Sequence, residues 1–166
     1  MKDAAPLSQT LQPRIINAKK LAIVGIGDEL IPPDRLGMFA AREIDRQQIP
    51  CVRVFLAGTV PESITGPLRR YQPDHVLFLD AADMGARPGT IAVIEPEQIH
   101  ASLVTTHVLP LSVVMDYVEQ EIVAGVTLLG IQPDLTSADK DLSDGDLAYR
   151  IRNLLLLLQI LRDRQV

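Results

Sequence analysis

The sequence predicts an α/β protein, a three-layer sandwich in which helices flank a twisted, mainly parallel five-stranded sheet. Short apolar runs alternate with segments of helical periodicity along the 166 residues, and this alternation is typical of parallel sheets. The run at residues 75–79 is almost entirely apolar, which indicates a central strand with both faces covered. A very short connection before residues 90–94 indicates one antiparallel edge strand.

Five segments have the composition of strands, and most are bounded by turn-forming residues. They are residues 21–24, 52–56, 75–79, 90–94 and 126–131. Gly25 and Gly27 follow the first run and permit a tight turn into a helix. A Pro-Gly turn precedes the fourth run, and its loop from the third run is too short for a parallel crossover.

The remaining segments carry helix signals. Asp34 is placed to cap a helix that reaches about residue 47, after two prolines that delay its start. Residues 61–71 begin with proline and an acid and end near two arginines, which favours a short surface helix. Two further helices are predicted over residues 110–121 and, with Ser143 and Asp144 as cap candidates, residues 143–164.

Length and composition predict one domain. We assign residues 1–18 to an N-terminal extension and residues 19–166 to a single α/β domain. The formal net charge of -5 provides no basic field for nucleic acid. Residues 154–158, the longest leucine run, fall far short of the ~20 apolar residues that span a bilayer, and the N-terminus lacks the apolar core of a signal peptide. We therefore expect a cytoplasmic protein without membrane insertion or nucleic-acid binding, and we expect a monomer.

Several catalytic chemistries lack their sequence signatures. Cys51 is the single cysteine, which excludes an internal disulfide and a thiolate cluster for zinc. No Gly-x-Ser-x-Gly elbow is present for a serine nucleophile. Gly25 and Gly27 match the start of a dinucleotide-binding loop, but Leu30 stands where the third glycine is required. A metal site in this chain must therefore use oxygen and nitrogen ligands.

One carboxylate lies where open α/β sheets place their ligands, and two further polar residues are candidates to converge on it. Asp80 directly follows the apolar third strand, Asp34 lies in the segment after the first strand, and His107 precedes a predicted helix. Two carboxylates and one imidazole suit a first-row metal ion. The carboxylates are also the kind of pair that shares a proton and activates water. The other histidines, His75 and His100, are expected to be structural or solvated.

Each candidate also has an ordinary structural explanation. Spacing alone favours Asp34 as a helix cap and Asp83 as a loop-capping residue. His107 has the position of a loop histidine near a helix start. Asp80 has the position of a turn former, although a carboxylate after four apolar residues is costly to bury without a partner. These alternatives stay open on the residues alone.

Three blocks, in this order, carry a family resemblance. They are GIGDELIPPDRLG at residues 25–37, LFLDAADMGARPGTIAVIEPEQI at residues 77–99, and TTHVLPLSVVMDYV at residues 105–118 followed by LLGIQPD. Together they resemble the hydrogenase maturation proteases, most closely the formate hydrogenlyase type. The middle block is the most specific, because its Asp-Ala, Asp-Met-Gly and Pro-Gly elements are all in register.

The resemblance implies an endopeptidase that removes the C-terminal extension of a nickel-iron hydrogenase large-subunit precursor after nickel insertion. In this family an acid of the first block, the aspartate of the Asp-Ala pair and the histidine of the third block are taken to bind nickel. Here they match Asp34, Asp80 and His107. The precursor would supply the nickel, so the resting enzyme would be metal-free. Cleavage would use nickel to polarise the scissile carbonyl or its attacking water, or would use a carboxylate such as Asp34 as general base.

The first block departs from the family pattern. Asp28 replaces the usual asparagine, and Pro33, Asp34 and Arg35 replace an acidic run. Arg35 beside a ligand would either lower local metal affinity or pair with an acid and hold the loop. One alternative function is therefore a chaperone that binds the precursor without cutting it. Another is a molybdopterin-binding module, which the GDEL tetrapeptide resembles, although the third strand lacks the Ser-Gly-Gly turn of such domains.

Overall fold

The structure, a computed structural model, describes residues 4–95, 97–98, 110–136 and 142–163. Within these ranges five strands form one sheet: β1 Leu21–Ile26, β2 Val52–Gly58, β3 His75–Ala81, β4 Ile91–Ile94 and β5 Gly125–Ile131. Their order across the sheet is β2-β1-β3-β5-β4, and β4 alone runs antiparallel to its neighbour. The predicted fold class, the central position of the third strand and the antiparallel edge strand are confirmed.

Helices cover both faces of this sheet. In chain order they are α1 Leu7–Thr10, α2 Gln12–Ile15, α3 Leu36–Arg46, a 3-10 turn at Pro61–Ile64, α4 Thr65–Tyr71, α5 Leu111–Tyr117, a π-helical turn at Val118–Ile122, and α6 Asp144–Asp163. Residues of α2, α3 and α6 pack on one face, whereas residues of α4, α5 and both short turns pack on the other. In the described ranges, no helix is long and apolar enough to cross a membrane.

The side chains of β3 explain its apolar composition. Leu77 and Leu79 face α3 and α6, whereas Val76 and Phe78 face α4 and α5, and all four are fully buried. Complete burial of such a side chain contributes roughly 1.5–3 kcal/mol. Because successive strand residues alternate between faces, Asp80 projects to the same face as Phe78.

The described part of residues 1–18 packs against α6. Leu11 and Ile15 are fully buried in the cluster that includes the leucines of that helix. The buried guanidinium of Arg162 donates hydrogen bonds to the carbonyls of Ala18 and Ile15, the latter at 3.0 Å, and so attaches α6 to the segment that ends α2. The segment predicted as an extension thus contributes to the core.

Element ends differ from the predictions by a few residues. The strands β1, β2 and β3 continue two residues beyond the predicted runs. The helix predicted over residues 110–121 is α-helical only to Tyr117 and then widens into the π-helical turn. Ser143 caps α6 as predicted, because its Oγ accepts the N–H of Asp146 at 3.1 Å.

Candidate active site

The strand order creates a switch point between β1 and β3. The chain goes from β1 to β2 on one side, and then returns past β1 to place β3, β5 and β4 on the other side. Gly25 of β1 pairs with Leu79 of β3, which brings the turn after β1 alongside Asp80. Crevices at such a point, outside the carboxyl ends of the strands, are where open α/β sheets bind ligands.

Asp34 lies in the loop between β1 and α3. Its Oδ2 accepts the N–H of Asp28 at 2.8 Å, while α3 begins at Leu36 without a side-chain cap. The prediction that Asp34 caps this helix is therefore wrong. The N–H groups of Asp34 and Arg35 both bond to the carbonyl of Ile31, and this turn directs the Asp34 side chain back across its own loop instead of toward the helix.

Two glycines allow the loop to close over the strand ends. A Cβ at Gly27, whose φ is +128°, would lie 1.9 Å from the backbone oxygen of Asp34. A Cβ at Gly37 would lie 2.1 Å from the carbonyl oxygen of Leu79. The first turn of α3 therefore rests against the residue that precedes Asp80, and the Asp34 loop and Asp80 occupy the same edge of the sheet.

Asp80 is nearly buried, with 6% of its surface exposed. It pairs with Gly130 of β5, and the N–H of Ala82 continues the ladder by donating to Ile131 at 3.0 Å. Its side chain projects to the face covered by α5, and α5 begins four residues after His107 in the chain. A carboxylate at the carboxyl end of a central strand, beside the switch point, has the position of a site residue.

His107 lies outside the described residues, as does His100. Within the described ranges, no group of three or more His, Cys, Asp or Glu side chains is placed to hold a metal ion. The structure thus brings Asp34 and Asp80 to one edge of the sheet, and the three-ligand set stays a prediction.

His75 is structural, which is one of the two roles expected for it. Its ring is buried at the amino end of β3, away from Asp80, and Nε2 lies 2.9 Å from the Thr127 hydroxyl. Burial lowers the pKa of His75 to about 4, so the ring is neutral near pH 7. Gly125 leaves room for this ring, because a Cβ there would lie 2.4 Å from Nδ1.

Arg35 holds the first loop against the start of α6. Its Nη1 lies 2.9 Å from Asp144 Oδ1, and its Nη2 donates to the carbonyl of Leu142 at 2.9 Å. Of the two roles considered for Arg35, the contacts match pairing with an acid. The outer part of the same loop is tied to α3 by two hydrogen bonds from Arg42 to Glu29, at 2.6 and 2.9 Å, which lower the pKa of the Glu29 carboxyl.

Sequence reasoning missed the role of Gln132. Asp83 caps its loop as predicted, because Oδ1 accepts the N–H of Gly85 at 3.1 Å. Gln132, which is only 4% exposed, also reaches this loop and donates from Nε2 to the same Asp83 oxygen at 3.2 Å. The sequence contained Gln132 in the last block, LLGIQPD, but its position there indicated only the end of the strand at residues 126–131.

Comparison with known proteins agrees with this fold and these motifs. A model of the HycI family, described as hydrogenase maturation protease, matches residues 39–145, which is more than half of the chain. The chain belongs to the hydrogenase maturation protease family.

Individual maturation proteases are similar over most of their length. A Methanocaldococcus jannaschii protein with a provisional assignment as a hydrogenase maturation protease is 33% identical over 137 residues, covering 78% of this chain and 81% of that relative. The hydrogenase 3 maturation protease of Escherichia coli K12 is 32% identical over 111 residues, covering 66% of this chain and 70% of that relative. The crystal structure of the nickel-iron hydrogenase maturation protease HycI from Thermococcus kodakarensis has a TM-score of 0.78 at 26% identity and covers 93% of this chain and 99% of that one.

The family resemblance seen in the three blocks is therefore confirmed. As a maturation protease, the chain is a hydrolase that acts in hydrogenase maturation. Membership of the maturation protease family argues against a molybdopterin-binding module, because that alternative explained only the GDEL tetrapeptide.

Proposed function

We propose that this maturation protease removes the C-terminal extension of a nickel-iron hydrogenase large-subunit precursor after nickel has been inserted. The observation that supports the proposal is that the Asp34 loop and Asp80 lie at the same edge of the sheet, beside its switch point. The Escherichia coli relative, which is named as a hydrogenase 3 maturation protease, supports the substrate class.

Asp34 and Asp80 are proposed to engage nickel that the precursor already holds, together with His107. Nickel is then part of the substrate and not a resident cofactor of the protease. Two oxygen ligands and one nitrogen ligand leave coordination positions for the groups of the precursor. This arrangement would make cleavage depend on nickel insertion, since an empty precursor offers nothing for the two carboxylates to bind.

Cleavage requires attack of water on the scissile carbonyl and protonation of the leaving amine. One route uses the substrate's nickel to polarise the carbonyl or the attacking water. The other uses nickel for recognition alone and a carboxylate, Asp34, as the general base. Asp34 suits either role, because its hydrogen bond from Asp28 fixes the carboxylate in the loop.

The test compares nickel-loaded and nickel-free precursor in parallel reactions with the purified protease. Intact mass spectrometry would measure release of a C-terminal peptide from each. Release from the loaded precursor alone is the expected result. Release from both precursors would show that the protease does not need nickel to recognise its substrate. Tight binding with no release from a correctly loaded precursor would instead favour the non-cleaving chaperone.

A further inference from the structure

Gln132 uses the whole hydrogen-bonding capacity of its side-chain amide. Its Oε1 accepts the N–H groups of Met84 at 2.6 Å and Ala86 at 3.2 Å, while its Nε2 donates to Asp83 Oδ1 at 3.2 Å and to the carbonyl of Pro133 at 3.3 Å. An amide has one carbonyl oxygen with two lone pairs and two N–H donors. The partners also fix its orientation, because N–H groups require the oxygen and a carboxylate requires the nitrogen.

The backbone of Gln132 holds the far end of the same loop. Its N–H donates to the carbonyl of Thr90 at 2.9 Å, and its carbonyl accepts the N–H of Gly89 at 2.8 Å. Residues 83–90 are thus attached to one residue at both ends. Since Gln132 is nearly buried, loss of these hydrogen bonds would leave polar groups without partners.

The loop held in this way lies beside Asp80. Asp80 pairs with Gly130, and paired residues of neighbouring strands project to the same face. A Cβ at Gly130 would lie 3.0 Å from both Met84 Sδ and Ala82 Cβ, so the loop occupies the space that a side chain at Gly130 would fill. Met84 also packs in the apolar cluster on the face to which Asp80 projects.

We propose that Gln132 is a positioning residue that holds residues 83–86 so that Asp80 keeps one orientation toward the substrate. This inference rests on the proposed function. Gln132 acts through the loop and does not itself touch the substrate. Its loss should therefore lower kcat for precursor cleavage and leave KM almost unchanged, because the precursor still binds while the carboxylate is misplaced.

The decisive variants exchange the donor and the acceptor between positions 132 and 83. Gln132→Glu keeps the shape and the acceptor for Met84 and Ala86, but it sets a carboxylate against Asp83. We expect kcat to fall about tenfold or more. Asp83→Asn alone keeps an oxygen for Gly85 and Gln132 and should cleave nearly as well as the wild type. The double variant supplies an amide donor at position 83 for the new carboxylate and should recover part of the lost kcat, because the acceptor for Gly85 and the donor to the Pro133 carbonyl are not restored.

Amide hydrogen exchange at Met84 and Ala86 gives a readout that needs no substrate. Exchange at both positions should be faster in Gln132→Glu and slower again in the double variant. Faster exchange with unchanged kcat would overturn the positioning role, as would a double variant no better than Gln132→Glu alone. Failure of the wild type to cleave any precursor would count against the proposed function, while exchange would still test the loop.

A second pair of variants covers the case in which Gln132→Glu does not fold. Asp83 is exposed, so Asp83→Ala should fold, and it removes one partner of Gln132 while the core is unchanged. We expect a lower kcat for Asp83→Ala than for Asp83→Asn at equal KM. Equal kcat values for these two variants would contradict the proposal.

Discussion

Gly37 lies directly against the carbonyl oxygen of Leu79, so closely that a Cβ on this glycine would be 2.1 Å from that oxygen. The contact joins the first turn of α3 to the end of β3. The same hypothetical Cβ would lie 2.5 Å from the carbonyl oxygen of Ile26, at the end of β1. The absence of a side chain at Gly37 therefore lets the helix rest on the ends of both strands, at the edge of the sheet where Asp80 lies.

Gly37→Ala should displace α3 from the strand ends. The added methyl group meets backbone atoms, which cannot move aside as a side chain can, and we expect the free energy of unfolding to fall by about 1–3 kcal/mol. Urea denaturation measures the change. Gly66→Ala in α4 is the matched control, because its Cβ would meet only Arg70 Nη1 at 3.6 Å, and its stability should stay within about 1 kcal/mol of the wild type. Equal losses in the two variants would contradict the close packing at Gly37.

Stability should decrease as the pH falls from about 6.5 to about 4, because of His75. Burial lowers the pKa of this histidine to about 4 in the folded state, below its ordinary value of about 6.5. Above pH 6.5 the ring is neutral in the folded and the unfolded state, so it favours neither. Between pH 6.5 and about pH 4 the unfolded chain takes up a proton that the folded chain does not. Below about pH 4 the free energy of unfolding has lost its full contribution from this group, roughly 3 kcal/mol.

His75→Asn removes the titrating ring and should make unfolding less dependent on pH in this window. The measurement is the free energy of unfolding from urea titrations at several pH values for both proteins. Identical slopes between pH 6.5 and pH 4.5 would show that His75 is not the group responsible.

Arg35→Gln should loosen the first loop and slow cleavage of a nickel-loaded precursor. The variant loses the contacts to Leu142 and Asp144, and we expect a stability loss of about 1 kcal/mol. Asp144→Ala removes only the exposed partner of the ion pair and should change stability by less than about 0.5 kcal/mol. Faster cleavage of the nickel-loaded precursor by Arg35→Gln would instead support the idea that this arginine lowers the affinity of the site for the precursor's nickel.

The strands and most helices could be predicted because their signals are local. The apolar run of β3 and the short loop before β4 each reflect a constraint that acts within a few residues. The role of Asp34 could not be predicted in this way, since a cap and a loop-closing carboxylate have the same spacing from α3. Its hydrogen bond to Asp28 depends on how the turn at residues 31–35 directs the side chain.

The role of Gln132 could not be predicted from the sequence for a different reason. Its side-chain partners in the loop lie 46 to 49 residues earlier in the chain, and they meet it only because β3 and β5 are neighbours in the sheet. Likewise, the burial of Leu11 and Ile15 depends on α6, at the other end of the chain. Periodicity identifies elements, but the order of strands decides which distant side chains meet.

Single-turnover cleavage of nickel-loaded precursor by Asp34→Asn, Asp80→Asn and the double variant measures whether the two carboxylates form one site. Each single variant should fold and lose about a hundredfold or more in rate, and the double variant should be little worse, because residues that act as a unit are not additive. Asp116→Asn, an exposed acid on α5, is the control and should cleave normally. Cleavage by Asp80→Asn at the wild-type rate would contradict the assignment of the site.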